Sequence, residues 1–242
     1  LVGQLRRQPG PGARSRPHPA LAGRRGPRPP LDALAAHADK LPSLPEVVSY
    51  LMRTLGDAMT NSLVWLYDTT GAIGGGIIGF FYAPLVVTGM HHSFIAVETQ
   101  LLADIAKTGG TFIFPIAAMS NVAQGAAALA MFFIIKEQKA KSLASASAIS
   151  AYLGITEPAM FGINLKYRYP FYAAMIGSGV SSAFISFFKV KAIAMGAAGL
   201  PGVISIKQED LWIYVLGMLI ATLTTVGMTY VFSKRDWTKK TA

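Results

Sequence analysis

Glu157 stands in the run Gly154-Ile155-Thr156-Glu157-Pro158-Ala159-Met160-Phe161-Gly162-Ile163. It is one carboxylate in a stretch otherwise apolar enough for a bilayer. An ionisable side chain at that depth is costly and marks a solute or ion path. The flanking glycines and proline break the helix. A membrane tolerates such a break only where backbone lines a cavity or is buried in protein. Once ionised, Glu157 can accept hydroxyl hydrogen bonds that are charge-assisted and stronger than neutral ones. Thr156 adjoins it and joins the candidate binding set. The plainer alternative is a carboxylate that caps a half-helix or pairs with Lys166 or Arg168.

A second group with chemistry is His91-His92, inside Thr88-Gly89-Met90-His91-His92-Ser93-Phe94. Neighbouring residues of a helix point in different directions, so one imidazole can face a cavity while the other supports it. A neutral imidazole can orient a hydroxyl and help position it for proton removal. No third ligand stands at helical spacing, which argues against a metal. The plainer reading is two histidines at a wet membrane edge. Asn164, Lys166 and Arg168 follow the carboxylate turn. The two cations can pair with Glu157, snorkel to the interface or meet a phosphorylated partner. Asn121 and Gln124 interrupt an apolar run, where a helix–helix hydrogen bond is the common outcome.

The elements that must hold these groups are membrane helices. Of 242 residues, 52% are hydrophobic and only 14% charged, against about 25% charged in soluble domains. Apolar runs fall near residues 63–87, 110–135, 170–188 and 211–232, each close to the about 20 residues that cross a bilayer. The first is weakest, because Gly71, Gly74, Gly75, Gly76 and Gly79 lower helix propensity while allowing close helix approach. A glycine-rich phosphate loop is a poor rival there, since no Lys-Ser/Thr follows. Trp212 and Tyr214 at one edge of the last run, with Tyr230 and Trp237 at the other, suit an aromatic belt. Lys234, Arg235, Lys239 and Lys240 then predict a cytoplasmic C-terminus. Residues 44–59 read as a moderately amphipathic helix, with Val47, Val48, Leu51 and Leu55 on one side.

Residues 1–44 differ from the rest. Seven arginines and seven prolines crowd the first thirty residues, with no acid among them. Such a segment cannot bury enough apolar surface to fold and predicts disorder. It lacks the apolar core of about 7–15 residues that a signal peptide needs. It begins at Leu1, and its composition suits either a frame-shifted or non-coding stretch joined to a genuine reading frame, or a natural disordered arm. The net charge of +10 sits largely here, since the remainder carries 15 basic against 12 acidic residues. With no aromatics interleaved, this tail does not suit nucleic-acid binding. The absence of cysteine excludes disulfides, thiolate metal sites and a cysteine nucleophile.

From about Asn61 onward the chain resembles the membrane IIC domain of a bacterial phosphotransferase-system sugar permease. Gly154-Ile155-Thr156-Glu157-Pro158 is similar to the glucose superfamily. The sucrose branch is suggested by Leu66-Tyr67-Asp68-Thr69-Thr70-Gly71-Ala72-Ile73-Gly74-Gly75-Gly76, by Val87-Thr88-Gly89-Met90-His91-His92-Ser93-Phe94 and by Asn164-Leu165-Lys166. The resemblance implies an all-α, multi-span, dimeric protein of the bacterial inner membrane, with a re-entrant hairpin and no cofactor. It implies that sucrose or a related glucoside is held while a phosphorylated IIB domain, on the same or another chain, phosphorylates it. Glu157 and one of His91 or His92 would contact the sugar. The protein would thus be the membrane component of a protein-phosphohistidine–sugar phosphotransferase, without a phosphorylatable cysteine of its own. The family has about ten spans, so residues 45–242 are expected to match only its C-terminal half, as in a truncated gene product. Two readings of other classes stand beside it. One is half of a proton-coupled secondary sugar transporter using Glu157. The other is a remnant that inserts and binds nothing.

Overall fold

The computed structural model describes residues 67–235, together with Val47, Tyr50, Thr54, Asn61, Ser62, Val64 and Trp65. The expected disordered tail, residues 1–44, and most of the expected helix over residues 44–59 lie outside the described residues. The described residues from Tyr50 on belong to one compact unit.

The chain is helical wherever its apolar runs are long. The main helices are α1 (Ala72–Val87), α2 (His92–Ala103), α3 (Ile113–Ile134), α4 (Gln138–Tyr152), α5 (Tyr169–Phe187) and α6 (Leu211–Lys234). Among the described residues there is no strand. Two isolated antiparallel bridges, Thr111 with Ala192 and Ala192 with Ile206, fasten the loop after α5 to the entry of α3.

The hub is α3. It is apolar all round, and a helix of that kind must be surrounded by other helices. Residues 111–128 are all buried, and α1, α4, α5 and α6 pack around it. By contrast α6 leaves Leu216, Leu219 and Leu223 exposed. An apolar face of that extent on a soluble monomer would mark an interaction surface; against hydrocarbon it is ordinary. Ile113–Ile134, Tyr169–Phe187 and the run Gln208–Lys234 are long and apolar enough to cross a membrane.

Over the expected span at residues 63–87 the described residues are helical except at Gly71. Residues 67–70 are helical, but Gly71 adopts φ +53° and breaks the run. The positive φ is open to glycine at little steric cost. Beyond the break, α1 has 16 residues, about 24 Å at 1.5 Å per residue, against a hydrocarbon core of about 30 Å. Its small residues serve packing. The Ser178 hydroxyl of α5 donates to the Gly79 carbonyl at 2.7 Å, and a Cβ on Gly79 would collide with Ser182. Backbones this close are what small residues at a membrane helix interface permit.

Candidate functional site

Helix α4 ends at Tyr152, and Gly154 turns the chain at φ +103°. A Cβ there would lie 3.1 Å from the Ala198 carbonyl oxygen, so both conformation and space call for glycine. The Ser150 hydroxyl donates to the Ile155 carbonyl at 2.9 Å, and the Ile155 amide donates to the Ser150 carbonyl at 2.9 Å. The chain then returns helically through Glu157–Ala159, a π-helical turn Met160–Asn164, and Leu165–Tyr167. The return packs on α4, with Gly162 facing Leu143 and Ser147. Arg168, at φ +63°, turns the chain into α5. Single π turns inside helices recur at functional sites. The result is a helical hairpin with Thr156 and Glu157 at its tip.

The tip faces a cavity of about 340 Å³, within the range of about 300–1,000 Å³ common for small-molecule sites. Its walls come from separate elements. Tyr82 and Val86 belong to α1, His91 precedes α2, and Ile95 and Glu98 lie on α2. Asn121 lies on α3, Thr156 and Glu157 at the hairpin tip, and Met195 to Ala198 on the loop after α5. The Asn121 amide donates to the Ala198 carbonyl, pinning that loop against α3.

The sequence candidates separate in space. Glu157, Thr156 and His91 line the cavity together. Thr156 is buried and Glu157 exposed. A carboxylate fully buried at this turn, as its apolar surroundings suggest, is therefore not what the fold presents. Among the described residues no Lys or Arg is paired with Glu157, so the alternative of an ion pair with Lys166 or Arg168 does not hold. Both cations are exposed, and Lys166 lies over the Tyr167 ring at 5.7 Å. The His91 and His92 rings lie 4.1 Å apart between centroids, tilted by 44°. His92 is exposed and its Nδ1 lies 3.1 Å from the Gly89 carbonyl oxygen, whereas Nδ1 of His91 is buried without a partner. Burial, and next the charge of His92, push the His91 pKa below its usual value, opposed by Glu157 and by hydrogen bonding to the Leu85 and Val86 backbone. At neutral pH His91 is then mostly uncharged and able to accept a hydrogen bond or a proton.

Asn164 does not reach the cavity. It is fully buried, and its amide donates to the side-chain oxygen of Gln124 at 2.7 Å and to the Gln124 carbonyl at 3.0 Å. Gln124 thus makes the interhelical bond expected of a polar residue in an apolar span. Replacing Asn164 by alanine is expected to leave solute affinity unchanged. In a double-mutant cycle with Gln124→Ala, thermal unfolding in detergent should report a coupling of about 0.6 kcal/mol, and at most about 1.7. A drop in affinity without loss of stability would return Asn164 to the binding set.

Two cavity residues escaped the sequence reading, Asn121 as a wall residue and Glu98 altogether. Glu98 sits in a short polar run that resembles a loop, yet His91, Ile95 and Glu98 fall at i, i+4 and i+7. That spacing places them on one helical face.

Comparison with known proteins gives the site its context. Residues 45–179 match the family described as Phosphotransferase system, EIIC. The chain is 59% identical over 189 residues to a PTS system sucrose-specific EIIBC component of Pasteurella multocida, covering 78% of this chain and 40% of that protein. It is 65% identical over 176 residues to a protein of the same description in Staphylococcus xylosus, covering 72% and 37%. It is 44% identical over 188 residues to a PTS system trehalose-specific EIIBC component of Bacillus subtilis, covering 78% and 40%. The chain therefore spans about two-fifths of the length of these relatives. No solved structure matches.

Proposed function

The chain belongs to the phosphotransferase-system EIIC family, and from that premise we propose that its cavity binds sucrose as part of a sugar-translocating permease of the bacterial inner membrane. The observation that carries this reading is the meeting of Glu157, Thr156 and His91 at one cavity from elements far apart in sequence. Sucrose is preferred over trehalose because identity is 59% and 65% to the sucrose-specific relatives cited above and 44% to the trehalose-specific one.

The chemistry follows from the groups present. Glu157 accepts hydroxyl hydrogen bonds and orients the sugar. The uncharged His91 accepts a hydrogen bond from a further hydroxyl. When a phosphorylated IIB domain docks, that hydroxyl oxygen bonds to phosphorus and the bond from phosphorus to its donor breaks. The hydroxyl proton passes to His91 or to water. The names of these relatives pair B with C, which supports a IIB domain as the phosphoryl donor. We take residues 45–242 as permease sequence working in a lipid bilayer, as a homodimer in the intact protein.

The hairpin from α4 to Tyr167 is read as re-entrant. Helix α4 has 15 residues, about 22 Å, too short for a core of about 30 Å. Its small side chains, buried at Ala140, Ala144, Ala148 and Ala151, let it pack inside protein instead of facing lipid. The Glu157 tip then lies at membrane depth but in a wet cavity, where an exposed carboxylate is tolerated.

Equilibrium binding of radiolabelled sucrose to membranes carrying the chain tests the reading. Saturable binding that excess sucrose competes better than trehalose is expected. With a phosphorylated IIB domain supplied, sucrose phosphate should form. Absence of saturable binding would overturn the proposal, and uptake of unmodified sucrose driven by a proton gradient would replace it with secondary transport.

A further inference from the structure

Glu98 gives the cavity a second carboxylate, carried by a different element from Glu157. Only 7% of it is exposed, its Oε1 has no hydrogen-bond partner, and among the described residues no cation is paired with it. Burial lifts its pKa to about 7. A carboxyl group so placed costs free energy that packing does not return, because leucine or glutamine would fill the same volume.

The other polar groups around the cavity do not satisfy it. Asn121 is committed to the Ala198 carbonyl. His91 has an unpartnered Nδ1 and, being mostly uncharged, brings little donor capacity beyond one N–H. Tyr82 and Thr156 contribute one hydroxyl each, and Glu157 is a further acceptor. The cavity therefore holds more acceptor capacity than donor capacity. Its complement is a compact ligand with many O–H donors.

Resting on the sugar-site reading above, we propose that Glu98 accepts a second hydroxyl of the bound sugar, so that two carboxylates from separate elements hold the ligand. A hydroxyl donates more strongly to an ionised carboxylate than to a neutral one, so the sugar favours the ionised form of Glu98. By linkage, binding lowers the pKa and releases a proton. Affinity is then greatest above about pH 7, and falls as pH drops through that value. The facing titratable groups are Tyr82 from α1, His91 from the turn before α2 and Glu157 from the hairpin tip. Of these, His91 titrates below its usual value, so its protonation falls on the acid side of the Glu98 step.

The test measures binding of radiolabelled sucrose to the full 242-residue chain in proteoliposomes, between about pH 5 and 8. Wild type is expected to bind best at the upper end and to lose affinity severalfold through neutrality. Glu98→Gln should bind about tenfold more weakly at the upper end and show no step near neutrality. Glu157→Gln should be weaker throughout yet keep the step. Proton uptake or release in weak buffer needs no variant: adding sucrose to wild type at neutral pH should release protons. The Glu98 proposal is overturned if Glu98→Gln binds like wild type or keeps the step, or if wild type binds sucrose without releasing protons. The sugar reading survives those results as long as wild type binds and Glu157→Gln binds less. A wild type that binds no sucrose at any pH removes both.

Discussion

Sucrose affinity is expected to fall at least about tenfold when Glu157 is replaced by glutamine, with folding unaffected. Glutamine keeps the shape of the side chain and removes its charge. A hydrogen bond to a charged group contributes about 1.5–3 kcal/mol, and exposure of Glu157 to solvent points to the lower end, about 1.5 kcal/mol, or tenfold. Glu157→Ala should be at least as weak, since it removes the acceptor as well. Stability should not change, because the carboxylate is exposed and forms no ion pair among the described residues. Equilibrium binding, with thermal unfolding of the same samples in detergent, separates the two effects. Wild-type affinity in the glutamine variant would make Glu157 a structural residue of the hairpin tip and leave His91 as the principal contact.

The other large effect is structural and lies away from the cavity. Gly79→Val should destabilise the protein by about 1–3 kcal/mol or more, the usual range for overpacking. A Cβ at this position overlaps Ser182 and comes within 2.9 Å of the Ser178 carbonyl oxygen, so α1 must move away from α5. That movement also breaks the bond from Ser178 to the Gly79 carbonyl. Because α1 carries Tyr82 and Val86 into the cavity wall, sucrose affinity should fall along with stability. Ser178→Ala is the control: it removes the hydrogen bond without the clash, and an intramembrane bond of this kind averages about 0.6 kcal/mol. Melting of Gly79→Val at the wild-type temperature would mean that α1 and α5 do not pack as closely as described.

The apolar spans at α3, α5 and α6 were legible in the sequence within a few residues of their observed ends, because length and hydropathy are local properties and a bilayer-scale run has few other uses. The hairpin tip was legible for a related reason: Gly154 ends a helix by turning the chain at positive φ, and Pro158 suits the first turn of the helix that follows. The short reach of α1 was foreshadowed by its glycines, though the break at Gly71 depends on a backbone angle that composition does not specify. The partners of each polar side chain were a different matter. Asn164 looked like a ligand contact from its place after Glu157, yet its buried amide nitrogen is bonded to Gln124 on α3. Which of two adjacent histidines turns inward depended on the Gly89 carbonyl that meets His92. Glu98 stands in a short polar run, and α2 brings it to the same cavity as Asn121 of α3 and the hairpin tip. By itself the sequence determined the helices, their break and the family. Tertiary structure alone decided which polar groups share the cavity, because that depends on how helices remote in sequence pack around α3, where each buried donor or acceptor must find a partner in the fold or in a ligand.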